Sequence, residues 1–244
     1  MSTVRRTARK PRWKRVLVKI SGETLAGKGH HGFDAESLSF IAREIAAAAR
    51  CGVQIAIVIG GGNLIRGSEI EGVGIDRSSA DYMGMLATMA NGIALQTVLE
   101  REGLDTRVLS ALPLSQVAEP FIRRRAIHHL EKGRIVICVG GTGNPHFTTD
   151  TAAALRAREL RADVLVKGTT VDGVFTADPK KSKNAKRLST VRYKEIITKD
   201  LRVMDLTAVT LAQETAMPIV VFDVFRQGNL KRLLCGKRIG TEIS

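Results

Sequence analysis

The sequence predicts an α/β fold, with a mostly parallel central sheet covered by helices on both faces. Three observations predict it. Short runs of Val, Ile and Leu alternate with longer segments of helical period, as in strands joined by crossover helices. The apolar runs are continuous rather than alternating, as strands buried on both faces require. Glycine-rich segments follow four of them, after Ile20, Ile59, Val139 and Lys167. Parallel sheets bind ligands beyond the carboxyl ends of their strands, which is where these segments lie.

The elements follow in order. The first strand is RVLVKI at 15–20. Asp34 caps a helix whose Leu38, Ile41 and Ile45 keep helical spacing, and Gly52 stops it. VQIAIVI at 53–59 is the second strand, and it runs into Gly60, Gly61 and Gly62. A long helix rich in Met and Ala is expected over 79–102, then a short strand at 106–109. A helix over 120–132 ends at Gly133, and a strand at 134–139 leads into Gly140, Gly141, Thr142 and Gly143. Next come a helix at 149–160, a strand at 163–167 and a polar, basic loop at 176–190. A helix at 206–215, a strand at 218–224 and a short helix at 229–234 complete the pattern without an internal repeat. Residues 14–244 read as a single domain behind a basic tail at 1–13.

Composition narrows the function. The 244 residues suffice for a sizeable core, built from aliphatic side chains because aromatics are only 4%. The net charge of +14 sits in two places: residues 1–15 and residues 180–202 each net +7, leaving the remainder neutral. Such clusters could bind nucleic acid. No nucleic-acid motif accompanies either, so the plainer reading is a tail and a solvated loop near a phosphate site, with nucleic acid left open. Cys51, Cys138 and Cys235 are widely spaced and form no C-x-x-C, which points to neither a zinc site nor a disulfide framework and fits a reducing cytoplasm. No apolar run reaches the ~18 residues of a membrane span, and no apolar stretch follows the basic start as a secretory signal requires.

Some motifs carry no chemistry. GETLAGK at 22–28 matches G-x-x-x-x-G-K, but Gly29-His30-His31-Gly32 follows where a P-loop needs Ser or Thr and a helix. The pairs His30/His31 and His128/His129 lack ligand-spaced partners and read as surface residues.

Four segments do carry chemistry. Lys19 ends a buried strand and is followed by Ser21 and Gly22, placing an ammonium beside a backbone that can approach a phosphate. Gly60, Gly61 and Gly62, with Asn63 and Arg66, open a second approach and add a charge. GGTGNPHFTTD at 140–150 combines glycines, the polar Thr142 and Asn144, a stiffening Pro145 and a helix start at Thr148–Thr149, whose positive end attracts anions. Asp150 falls in that first helical turn. TTVDGVFTADP at 169–179 offers a turn and the ring of Phe175 for a purine, or else an ordinary hairpin.

Together these segments resemble the bacterial UMP kinases of the amino-acid-kinase superfamily. The carriers are LVKISGE (17–23), VIGGGNLIRG (58–67), DYMGMLAT (81–88), GTGNPHFTTD (141–150), VDGVFTADP (171–179) and VMDLTAV (203–209). The resemblance implies a three-layer α/β/α sandwich, a homohexamer, and transfer of the γ-phosphoryl of Mg-ATP to UMP in pyrimidine nucleotide synthesis. It implies that Lys19, Ile20, Ser21, Gly22, Gly62 and Arg66 meet ATP, with Thr169, Phe175 and Asp178 at its nucleoside. It implies that Gly61, Asp81, Thr142, Gly143, Asn144, Pro145, His146, Phe147, Thr148 and Thr149 hold UMP, with Asp81 at the ribose. Lys19, Arg66, Asp150 and Asp205 would be the catalytic group, and Mg²⁺ would arrive on ATP rather than in a protein cage. Three departures stand out. His146 replaces a usual aromatic ring, Thr170 a common Lys or Asn, and Gln96 and Glu100 an Arg and a His linked to GTP control in some relatives. The rival readings are a superfamily kinase acting on a carboxylate or carbamate, a non-catalytic nucleotide-binding protein, and a nucleic-acid-binding protein.

Overall fold

The computed structural model describes residues 11–29, 31–66, 74–177, 182, 184–199, 201 and 203–244. Asp178, most of the expected basic tail and part of the 180–202 cluster lie outside these. Its strands are β1 (Arg15–Ile20), β2 (Gln54–Ile59), β3 (Thr106–Ser110), β4 (Glu119–Pro120), β5 (Ile135–Val139), β6 (Val164–Thr169), β7 (Thr190–Val191), β8 (Ile219–Asp223) and β9 (Thr241–Ile243). Its helices are α1 (Ala35–Ala49), α2 (Arg77–Arg101), α3 (Arg123–Glu131), α4 (Thr149–Glu159), α5 (Tyr193–Thr198), α6 (Leu206–Glu214) and α7 (Asn229–Leu234).

The strands form one sheet in the order β4-β3-β5-β2-β1-β6-β8-β9-β7, and every described pairing is parallel except β8 with β9. Alternation along each strand divides the core into two layers. Val16, Val18 and Ile20 of β1 pack with α1, α2 and α7, whereas Leu17 packs on the opposite face with α3, α4, α5 and α6. Both faces are covered, so the middles of β1, β2, β5, β6 and β8 are aliphatic or otherwise apolar, and their polar residues lie toward the strand ends. The predicted three-layer sandwich is present.

Caps and close approaches explain the element ends. Asp34 accepts from Ser37 N at 2.8 Å, and Asp76 from Ser79 N at 3.1 Å. These bonds satisfy amides at the starts of α1 and α2. A Cβ on Gly92 would lie 2.5 Å from Val139 Cγ1, so α2 can rest on β5 only with glycine there.

The structure corrects several expectations. The helix expected over 120–132 begins at Arg123, because Glu119 and Pro120 pair with Leu109 and Ser110 at the sheet edge. An edge strand tolerates proline's missing N–H, and the residue before proline favours extended backbone. The loop at 176–190 contains an antiparallel bridge between Phe175 and Arg187 and leads into β7 and α5. These elements and β9 are too short to carry a period in sequence. His129, expected at the surface, is buried: its Nε2 lies 3.2 Å from Glu119 Oε2 and its Nδ1 is 3.0 Å from Arg134 Nη1. Arg12 and Trp13, placed in the tail, belong to the fold. Arg12 N donates to Leu234 O at 3.0 Å, its guanidinium pairs with Glu242 at 2.7 Å, and Trp13 is buried.

Candidate active site

The site lies at the carboxyl edge of β1, β2, β5 and β6. The register of β1 with β6 sets Lys19 directly opposite Lys167. Both side chains point to the α4 face, since Val18 and Val166 point to the other. Like charges opposite each other on neighbouring strands repel. Asp150, in the first turn of α4, sits between them. Its Oδ2 accepts from Lys167 Nζ at 2.5 Å, and its Oδ1 lies 2.8 Å from Lys19 Nζ. The latter contact is not aligned as a hydrogen bond, leaving it electrostatic in character. The three side chains are only 10–13% exposed.

Burial alone would raise Asp150, but the charges of Lys19 and Lys167 outweigh it and hold the carboxyl below its usual range. Burial also lowers Lys167, and the neighbouring Lys19 adds to this while Asp150 opposes it. Lys167 further donates to Val203 O at 2.6 Å, tying the loop before α6 to the cluster. The sequence reading did not single out Lys167. Its signal was a lysine at the carboxyl end of an otherwise apolar strand, as with Lys19.

The loops after β1 and β2 interlock. A Cβ on Gly22 would lie 2.5 Å from Asn63 Oδ1 and 2.6 Å from Gly60 O. A Cβ on Gly61 would lie 2.7 Å from Gly84 O of α2. Gly22 and Gly61 are therefore glycine for packing, Gly60 is tight, a Cβ there falling 3.1 Å from Gly22 N, and Gly62, with nothing closer than 3.9 Å, is left open. Buried Asn63 and Asn91 bond each other side chain to side chain, and Asn91 Nδ2 also donates to Gly60 O at 2.7 Å. Asn91 was missed in the sequence because one amide in a helix of mixed polarity carries no motif. Arg66 returns to this loop, donating to Gly62 O at 3.3 Å and approaching Glu23 at 3.6 Å. Ser21 precedes a short 3-10 turn at Gly22–Leu25. The Ile20 side chain is buried in the core and its carbonyl accepts from Gly60 N at 3.0 Å, so this residue sets the loop's position and turns its side chain away from the cleft.

Opposite lies the loop after β5. Gly140, Gly141 and Gly143 all have positive φ, and Gly140 N donates to Thr88 Oγ1 at 2.8 Å. Thr142 Oγ1 donates to Asn144 O at 3.1 Å, which folds the loop on itself. His146 is also left-handed, with φ 69°, a region histidine enters more readily than most residues. Its N donates to Asp81 Oδ2 at 2.7 Å, and its Nε2 lies 3.1 Å from Ser78 Oγ. Asp81 also pairs with Arg77 at 3.1 Å. His146 thus latches the loop to the first turns of α2, the role that its departure from an aromatic left unexplained.

Thr148 caps α4 by accepting from Asp150 N at 3.0 Å, and it donates to Asp205 Oδ2 at 2.5 Å. Asp205 accepts from Thr151 Oγ1 at 2.9 Å and caps α6 through Ala208 N at 2.9 Å. Asp205 therefore joins the starts of two helices and acts on Lys167 only through its charge.

A cleft of about 580 Å³, its open mouth included, lies between the two loops. Of the predicted acceptor residues, Gly61, Asp81, Thr142, Asn144, Phe147, Thr148 and Thr149 line it, together with Gly62. Gly143, Pro145 and His146 do not line it and instead shape the loop behind it. Thr169 and Phe175 stand apart, past β6: Thr169 Oγ1 donates to Val171 O at 2.7 Å, and half-buried Phe175 belongs to the hairpin bridge. The hairpin alternative for this segment is thus present.

A glycine-bounded cleft, next in the chain to an aspartate held between two buried lysines, on a sheet of this order, invites comparison with known proteins. The family model described as "Amino acid kinase family" matches residues 14–223. The chain belongs to the amino acid kinase family. Among curated family members it is similar to Uridylate kinase PUMPKIN, chloroplastic, of Arabidopsis thaliana: 55% identity over 233 residues, covering 95% of this chain and 69% of that one. Among solved structures it is similar to UMP kinase from Bacillus anthracis, with TM-score 0.93 and 41% identity, covering 95% of this chain and 96% of the other. It is also similar to UMP kinase from Ureaplasma parvum, with TM-score 0.90 and 34% identity, covering 96% and 99%.

Proposed function

We propose that the chain is a UMP kinase, transferring the γ-phosphoryl of ATP to UMP to give ADP and UDP. The observation that carries this reading is the Lys19–Asp150–Lys167 cluster, whose Asp150 directly follows Thr149 of the cleft lining, with the open Gly62 and the start of α4 both lining that cleft. That is where a phosphoryl group passing between two nucleotides needs positive charge. The kinship with uridylate kinases from a plant and two bacteria supports the choice of acceptor.

In the mechanism, the attacking oxygen belongs to the UMP phosphate, which is already ionised and needs little base catalysis. Charge repulsion between the two nucleotides is the barrier, so positioning and electrostatic stabilisation dominate. Lys19 and Arg66 neutralise the transferring group, and Gly62 lets the donor phosphates approach the backbone. The start of α4 and Thr142–Thr149 receive the UMP phosphate, and Asp81 accepts from its ribose. Asp150 aims Lys19, while Lys167 balances Asp150. Thr169 and Phe175 border the adenosine.

The donor set fits a Mg²⁺ carried by ATP. Both Asp150 oxygens face lysines, and both Asp205 oxygens accept from threonines. When present, the ion screens the phosphate charges.

The continuous sheet supports one kinase domain over 14–244. Tyr82, Leu86, Ala90 and Ile93 form an exposed apolar stripe along α2, which supports a homo-oligomer, with a hexamer the size to test by light scattering. No helix of the described residues is long and apolar enough to cross a membrane. We place the protein in the cytoplasm, with the chloroplast, named for the plant relative, as the second compartment to test. A coupled assay offering ATP with UMP, CMP, AMP, aspartate or acetylglutamate tests the activity. UMP is the expected preferred acceptor, and preference for any other would overturn the reading.

A further inference from the structure

At the far edge of the sheet, two cysteines separated by 184 positions meet. Cys51 lies in the turn after α1, and Cys235 caps the end of α7. Their sulfurs are 2.8 Å apart, within about 0.8 Å of the ~2.05 Å length of a disulfide bond. Each cysteine precedes a glycine of positive φ, Gly52 (81°) and Gly236 (86°), that ends its helix. The two turns are thus fixed by the same local stop. The helices beneath are held together by packing of Ile41, Ile45 and Ala48 with Leu230, Leu233 and Leu234 in one core layer. Both cysteines are half-exposed, unlike fully buried Cys138.

We propose that Cys51 and Cys235 form a disulfide by exchange with a glutathione-type disulfide or an oxidised dithiol protein, stapling α1 to α7. One cysteine thiolate attacks the reagent's S–S bond, forming a mixed disulfide and releasing one reagent thiolate. The second cysteine thiolate then attacks the protein-side sulfur of that mixed disulfide, closing the Cys51–Cys235 bond and releasing the other thiolate. Two electrons and two protons pass to the reagent, which leaves as two thiols.

The chemistry favours a staple over a fast switch. Burial, and then the Cys235 thiol, push Cys51 up to about 11, with Lys231 pulling weakly the other way. Few thiolates are present near neutrality, so closure is slow. The same thiolate is a poor leaving group, so the bond, once made, is slow to reduce. The pair lies at the amino edge of the strands, a strand length from the cleft. The cross-link should raise stability without touching catalysis.

The test uses the full chain, incubated with glutathione disulfide, then alkylated and mapped without reduction. The expected product is a monomer lacking two hydrogens, with Cys51 and Cys235 in one linked peptide and Cys138 alkylated only after denaturation. Its Tm should rise by roughly 5–10 °C, reversed by dithiothreitol, as a long closed loop implies for a chain of this size. Activity should stay within about twofold of the reduced enzyme. Cys51→Ser and Cys235→Ser should each give a persistent glutathione adduct on the remaining cysteine and no gain in Tm. Persistent adducts on both cysteines of the unsubstituted chain, no reaction under conditions that oxidise the denatured chain, or a cross-link that leaves Tm unchanged would each overturn the proposal.

Discussion

The two walls of the cleft are built differently. The wall proposed for the donor is held by buried groups: interlocked glycine backbones, an Asn63–Asn91 amide pair, and an aspartate between two lysines on adjacent strands. The acceptor wall is an exposed loop, folded by left-handed glycines and tied down by hydrogen bonds from His146 to Asp81 and Ser78. The contrast separates two tasks. Stabilising charge on a transferring phosphoryl needs preorganised groups in a dry setting, where they cost no reorganisation during the reaction. Admitting and releasing a nucleotide needs a surface loop held by bonds that can be remade. Damage to the donor wall should therefore affect folding and chemistry together, and damage to the acceptor wall should appear mainly in KM.

The strongest way to break the contrast is at its centre. Asp150→Asn removes the charge that reconciles Lys19 with Lys167. Losing one partner of a buried cluster costs about 3–5 kcal/mol, so the urea midpoint should fall sharply as kcat falls. Stability retained with kcat intact would show that the cluster is not the donor wall's foundation. Next, Lys19→Ala or Arg66→Ala should lower kcat by roughly 10²-fold, the loss expected for a transition-state donor. Steady-state rates near the parent enzyme's in both would remove them from the reaction.

The acceptor wall should give smaller numbers. Ser78→Ala cuts one bond of the His146 latch and should raise KM for UMP by roughly five-fold, near the ~1 kcal/mol of one hydrogen bond, with kcat within about twofold. A kcat effect larger than the KM effect would mean that this loop also serves the chemical step.

The smallest effect is one of pH. The Asp150 carboxyl is held below its usual value in the folded chain, so its contribution is fully present above about pH 4 and is lost as pH falls through the folded value. Urea midpoints measured below pH 4 should fall more steeply for the parent than for Asp150→Asn. Equal slopes would mean that the two lysines do not depress that carboxyl.

Much of the fold was legible because its signals are local. β1, β2 and β5 are mostly aliphatic runs, α1 opens on Asp34 with helical spacing behind it, and the loops beyond the strands announce themselves by glycine. The helix drawn over 120–132 was wrong at its start, because whether Glu119 and Pro120 extend the sheet depends on β3, which lies beside them only after folding. β7, α5 and β9 escaped for a similar reason, having two, six and three residues. His129 looked like one of a surface pair until α3 turned it inward against Glu119 and Arg134.

The sequence alone determined the alternation of strand and helix, the places where backbone must approach a ligand, and the family resemblance that joined them to phosphoryl transfer. These depend on side-chain period and on glycine, which act over a few residues. The tertiary structure decided that Gly22 and Gly61 serve packing while Gly62 stays open. It also decided that His146 is a latch, that Lys167 faces Lys19 across a shared carboxylate, and that Cys51 meets Cys235. Each of these is a contact between residues far apart in the chain, fixed by strand register and helix docking, which no local pattern encodes.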